Sequence, residues 1–118
     1  MNKRILVVDD DTDILDIVYG ALDEEGYRVE TSPSGFIFQH VQRDLPDLIL
    51  LDVLLSGKDG RVLCRQLKAN ELTKHIPVIL FSAQITKENA LRESHADDFL
   101  EKPFDIQELR EVVKKYLP

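Results

Sequence analysis

The chain has 118 residues, 43% of them hydrophobic and 31% charged, with one cysteine and a net charge of −7; this excludes collagenous and disordered classes. A chain of this length buries roughly two-thirds of its unfolded surface, enough for one core without an internal disulfide, which the single Cys64 could not form. The acidic balance disfavours direct binding to nucleic acid or an anionic membrane, no apolar run reaches the ~20 residues of a membrane span, and the chain reads as a soluble cytoplasmic domain over residues 1–118.

In chain order, Ile5 to Val8 is a short aliphatic strand. Ile14, Ile17, Val18, Ala21 and Leu22 recur at helical spacing, and Gly26 supplies a left-handed stop. Arg28 to Thr31 is a weaker strand, and Phe38, Val41 and Leu45 mark a second helix ended before Pro46. Leu48 to Leu51 is a third strand, and Asp59-Gly60 opens a helix carrying Val62, Leu63 and Leu67. Val78 to Phe81 is a fourth strand, followed by a short helix around Leu91. Asp98 to Leu100 is a fifth, followed by a helix through Ile106, Leu109, Val112, Val113 and Tyr116 that runs to Pro118. Three of the strands are almost uniformly aliphatic, as strands buried on both faces must be. Five alternations therefore predict an open, doubly wound α/β fold, a five-stranded parallel sheet with five helices. Its ligand site belongs beyond the carboxyl ends of the strands.

At those ends stand Asp9-Asp10-Asp11, Asp52, Ser82-Ala83 and Lys102-Pro103. Each has an ordinary reading alone. Acidic residues before a helix cap it, with Asp11 or Thr12 as the cap, and the others are common in turns. Taken together, Asp9, Asp10 and Asp52 crowd like charges that a divalent cation would neutralise. Oxygen donors of this kind suit magnesium, or manganese in its place, better than zinc. A carboxylate beside such a metal can attack phosphorus, and Lys102 and the Ser82 hydroxyl can hold phosphoryl oxygens.

The segments ILVVDDDTDI (5–14), PDLILLDVLLSGKDG (46–60), IPVILFSA (76–83) and ADDFLEKPF (96–104) occur in order at successive strand ends. In them the chain resembles the receiver domain of two-component response regulators over its whole length. The resemblance implies a flavodoxin-like sheet of strand order 2-1-3-4-5 and phosphorylation of Asp52 by a sensor histidine kinase or phosphotransfer protein. It implies magnesium held by Asp10, by Asp9 mainly through water, by Asp52 and by the backbone carbonyl of Leu54. Ser82 and Phe99 would form the switch that alters a surface for a downstream target or effector domain, or for a phosphorylation-dependent homodimer, with Phe99 turning from outward to inward. Lys102 would pair with the phosphoryl group, and the bond to Pro103 would be cis. Such a domain takes part in its own phosphorylation and dephosphorylation without turning over an external substrate. Leu54 and Gln84 would flank the path of a hydrolytic water, with Leu54 excluding it and so prolonging the phosphorylated state.

The chain departs from the family pattern at Ser56, where proline is usual, so the loop to Gly57 is expected to be less rigid. It departs again at His95, where glycine usually ends a helix, so a left-handed histidine is expected there. A dehalogenase-type phosphatase, which also uses aspartate and magnesium, wants a second acid two residues after the nucleophile, where this chain has Leu54. A flavin carrier of the same topology would need a phosphate cradle where Asp9-Asp10-Asp11 stand. An adaptor that is never phosphorylated is the third alternative. His40, His75 and His95 are scattered without ligand spacing and read as surface residues.

Overall fold

A computed structural model of the chain describes residues 2–39, 44–83 and 85–118. Among the described residues the strands and α-helices follow in the order β1 (Arg4–Val8), α1 (Thr12–Glu24), β2 (Arg28–Ser32), β3 (Leu48–Asp52), β4 (Leu54–Leu55), β5 (Lys58–Asp59), α2 (Gly60–Ala69), β6 (Val78–Ser82), α3 (Lys87–Ser94), β7 (Asp98–Glu101) and α4 (Ile106–Tyr116). Five strands form a parallel sheet in the order β2-β1-β3-β6-β7, while β4 and β5 make a separate antiparallel hairpin. With that hairpin set aside, the order is the expected 2-1-3-4-5.

Side chains of a strand alternate between faces, and here both faces are apolar. Leu6, Val8, Ile49, Leu51, Val78 and Leu80 pack with Leu63, Cys64, Leu67 and Ala90 of α2 and α3. Ile5, Val7, Leu48, Leu50, Ile79 and Phe81 pack with Leu15, Val18, Leu22, Leu109 and Val113 of α1 and α4. The central strands lack polar alternation because each is sandwiched between two helical layers. Among the described residues, no helix is long and apolar enough to cross a membrane.

Local chemistry sets the helix boundaries. The Asp11 carboxylate accepts from the Asp13 and Ile14 N–H groups at 3.0 and 3.4 Å, and Asp59 accepts from that of Arg61 at 2.9 Å. Asp105 and Glu108 form a reciprocal capping box at the start of α4. His95 ends α3 at φ 62°, the left-handed histidine expected from the sequence. Gly60 starts α2 because nothing larger fits: a Cβ there would lie 2.1 Å from the Asp52 carbonyl oxygen. Gly60→Ala is therefore expected to lower the unfolding free energy by about 3 kcal/mol, the upper end for overpacking against backbone, and a urea titration reads it.

Two expectations are corrected, and a third falls mostly outside the described residues. The predicted second helix through Phe38, Val41 and Leu45 spans residues 40–43, which are not described, and a 3-10 helix over Gly35–Gln39 precedes them. Phe38 and Leu45 do pack against the core, and Val41 and His40 lie outside the described residues. Helical spacing groups Ile17 with Val18, Ala21 and Leu22, but Ile17 is 56% exposed, and Leu15 is buried with the others in the core. The last helix stops at Tyr116 rather than reaching Pro118.

Candidate functional site

The carboxyl ends of β1, β3 and β6 and the segment after β7 converge on one rim. Asp9 follows β1, its backbone N–H donating to the Ser32 carbonyl at 3.1 Å and its Oδ1 accepting from the Asp11 N–H at 2.9 Å. Asp52 is the last residue of β3, held in register with Phe81 of β6. Lys102 follows β7, and its backbone N–H donates to the Ser82 carbonyl at 3.0 Å. The Lys102–Pro103 bond is cis. Backbone pairing thus fixes each position before any side chain interacts.

Lys102 Nζ donates to Asp9 Oδ2 at 2.9 Å and to Asp52 Oδ1 at 3.1 Å. Asp9 is fully buried and the Asp52 side chain is 7% exposed, so the lysine bridges two desolvated carboxylates. It lies 5.0 Å from the centre of the Phe81 ring, an apolar wall that sequence reasoning missed. Single oxygens of Asp9, Asp10 and Asp52 all fall within 4.8 Å of one another. Burial and then the Asp9 charge push the Asp52 carboxyl up to about 6, against the opposing pull of Lys102. Burial also disfavours the Lys102 ammonium, but its bond to Asp9 and the Asp52 charge outweigh this and raise its pKa. One ammonium therefore leaves negative charge uncompensated. Oxygen-only donors around that charge fit a hard divalent cation.

The Gly60 N–H donates to the Val53 carbonyl at 2.7 Å, which makes Leu54 and Asp59 the non-hydrogen-bonded pair of the β4–β5 hairpin and turns the Leu54 carbonyl out of the ladder. The Leu54 side chain is 48% exposed on the rim of a cleft shared with Ser82, Ile85 and Asn89. Gln84, its expected counterpart, lies outside the described residues. Asp11, part of the acidic run, is spent on capping α1. Ser82 is buried at the end of β6. Phe99 is 9% exposed and packed with the α2 and α3 core. An outward starting position for this ring is thus not what the structure shows, since the ring already lies inward.

Two contacts carry no sequence signal because they depend on side chains meeting from distant segments. Ser56 Oγ donates to Asp10 Oδ2 at 2.9 Å, so the loop without proline is tied across the site. The Arg61 guanidinium makes paired bonds to Asp59 at 2.7 and 3.0 Å and one to Glu93 at 2.6 Å, linking the start of α2 to α3 beside Ser82.

The family model of the response regulator receiver domain matches residues 5–114. The response regulator PleD of Caulobacter vibrioides is 44% identical over 89% of the chain, and the DNA-binding dual master transcriptional regulator RpaA of Synechocystis is 40% identical over 97%. The chain spans 24% and 48% of the lengths of these two relatives. Among solved structures, a CheY-like receiver domain protein of Methanospirillum hungatei superposes with TM-score 0.88 at 32% identity, covering 99% of this chain and 94% of that one. The receiver domain of a sensor histidine kinase of Pseudomonas aeruginosa, with a magnesium ion coordinated in its active site cleft, superposes with TM-score 0.89 at 28% identity, covering 99% and 98%. With the fold, the acidic rim and the sequence match in agreement, the chain belongs to the response regulator receiver domains of two-component systems.

Proposed function

We propose that Asp52 accepts a phosphoryl group from a partner histidine kinase or phosphotransfer protein, and that the domain formed by residues 1–118 then presents an altered surface to a target protein, an effector domain or a second copy. The observation that carries this reading is the Asp52 carboxylate at a strand end, 3.1 Å from Lys102 Nζ and beside buried Asp9. An Asp52 oxygen forms the new bond to phosphorus while the bond from phosphorus to the donor nitrogen breaks, its electron pair leaving with the imidazole. The attacking group must be ionised, and a carboxyl that titrates at about 6 is about 90% ionised at pH 7. Lys102 offers its ammonium, and Ser82 its hydroxyl, to the transferred oxygens. Magnesium, with manganese able to replace it, would be held by Asp9, Asp10, Asp52 and the Leu54 carbonyl, and would supply charge neutralisation for those oxygens. A Ser82 drawn toward them biases the packing around Phe99, whose inward position is one of two alternatives.

The test is incubation with acetyl phosphate and magnesium followed by intact-protein mass spectrometry. The wild type should gain the mass of one phosphoryl group, and Asp52→Asn or excess chelator should abolish the gain. Labelling of equal extent in Asp52→Asn would overturn the assignment.

A further inference from the structure

Asp10 differs from its two neighbours in the acidic cluster. Asp9 and Asp52 are buried and share the Lys102 ammonium, which fixes their carboxylates. Asp10 is exposed, and an exposed carboxylate samples several rotamers that it must give up on binding a cation. Across the mouth of the site stands the Ser56-Gly57 turn of the β4–β5 hairpin, with Leu55 buried beneath it and Gly57 at φ 73° closing it. That anchored turn holds the Ser56 hydroxyl 2.9 Å from Asp10 Oδ2.

We infer that Ser56 is a positioning residue for the cation site: its hydroxyl sets the Asp10 carboxylate toward Asp9 and Asp52 before a metal arrives. The inference rests on the magnesium-dependent reading above. The hydroxyl engages Oδ2 and leaves Oδ1 for the metal, the usual arrangement in which a ligating carboxylate is itself hydrogen-bonded. Donation to an anion also makes its oxygens slightly poorer donors. Orientation outweighs this effect, because a single neutral hydroxyl withdraws little charge, while a misdirected carboxylate contributes no ligand at all. Being exposed in a surface turn, Ser56 adds little to the fold itself.

Calorimetric titration of magnesium chloride into the purified chain tests this without reference to phosphorylation. Ser56→Ala should weaken magnesium binding by about tenfold, the low end for loss of a ligand-orienting partner. Ser56→Thr, which keeps the hydroxyl, should restore most of it, and melting temperatures of all three proteins in chelator should agree. Unchanged or tighter binding by Ser56→Ala overturns the role of Ser56 while leaving the cation site standing. An equal loss in Ser56→Thr, or a fall in the chelator melting temperature that matches the loss of affinity, also overturns it in favour of a structural role. Absence of magnesium binding in the wild type overturns the cation reading itself and this inference with it.

Discussion

Asp52→Asn is expected to stabilise the metal-free protein at pH 7 by about 3 kcal/mol, even as it removes the proposed phosphoryl acceptor. Burial and the Asp9 charge raise the Asp52 carboxyl from 3.8 to about 6, so the folded protein holds that proton more tightly than the unfolded chain does. A group of this sign contributes its full stability below about pH 4 and loses it as the pH rises through about 6. Asparagine keeps the shape of the protonated acid, and its carbonyl oxygen can still accept from Lys102. Urea unfolding in chelator should therefore show wild-type stability declining between pH 4.5 and 7, and a much flatter profile in the variant. Below that window, groups of the opposite sign take over, such as Asp59, whose carboxyl the bond from Arg61 holds below its ordinary value. A variant no more stable than wild type at pH 7 would contradict the electrostatic account of the site.

Lys102→Ala should act in the other direction. Removing the lysine leaves Asp9 and Asp52 desolvated without their shared cation, and breaking a buried pair from one side costs about 3 to 5 kcal/mol. In chelator at pH 7 the variant should unfold at markedly lower urea. Acidification to pH 5 should recover part of the loss, because a proton on Asp52 removes one of the two opposed charges. Magnesium should recover part of it too, since a cation between the carboxylates substitutes for the ammonium. A small loss indifferent to pH and to magnesium would show that the carboxylates do not depend on Lys102 for their charge balance.

What the sequence made legible follows from how local each signal is. β1, β3 and β6 stand out because burial on both faces leaves an unbroken aliphatic run, and their carboxyl ends locate Asp9, Asp52 and Ser82 without any three-dimensional information. The helical spacing of α1 is legible, but it groups Ile17 with residues that are buried while Ile17 itself is exposed. That residue lies on an apolar groove with Ile14, Pro103 and Phe104 at the helix edge, and spacing alone cannot distinguish an edge from a core stripe. The segment from Gly35 packs Ile37 and Phe38 against the core in a 3-10 turn, a geometry with a different period from the one sought. The β4–β5 hairpin has strands of two residues each, too short for any periodicity, although Ser56-Gly57 was a turn signal. The bonds of Ser56 to Asp10 and of Arg61 to Glu93 depend on rotamers across 46 and 32 residues of chain.

The lysine bridge also has a consequence for the order in which the protein is made. Lys102 meets Asp52 across 50 residues and Asp9 across 93. A chain emerging from its amino terminus completes β1 and β3 while the strand that brings the lysine does not yet exist. Until then the two carboxylates face each other without a counter-charge, and β6 presents an unpaired edge to the solvent. The two aspartates accordingly gain their shared cation only when the last strand docks. Completion of the acidic rim coincides with completion of the sheet, and a nascent or truncated chain has the carboxylates without their shared counter-charge.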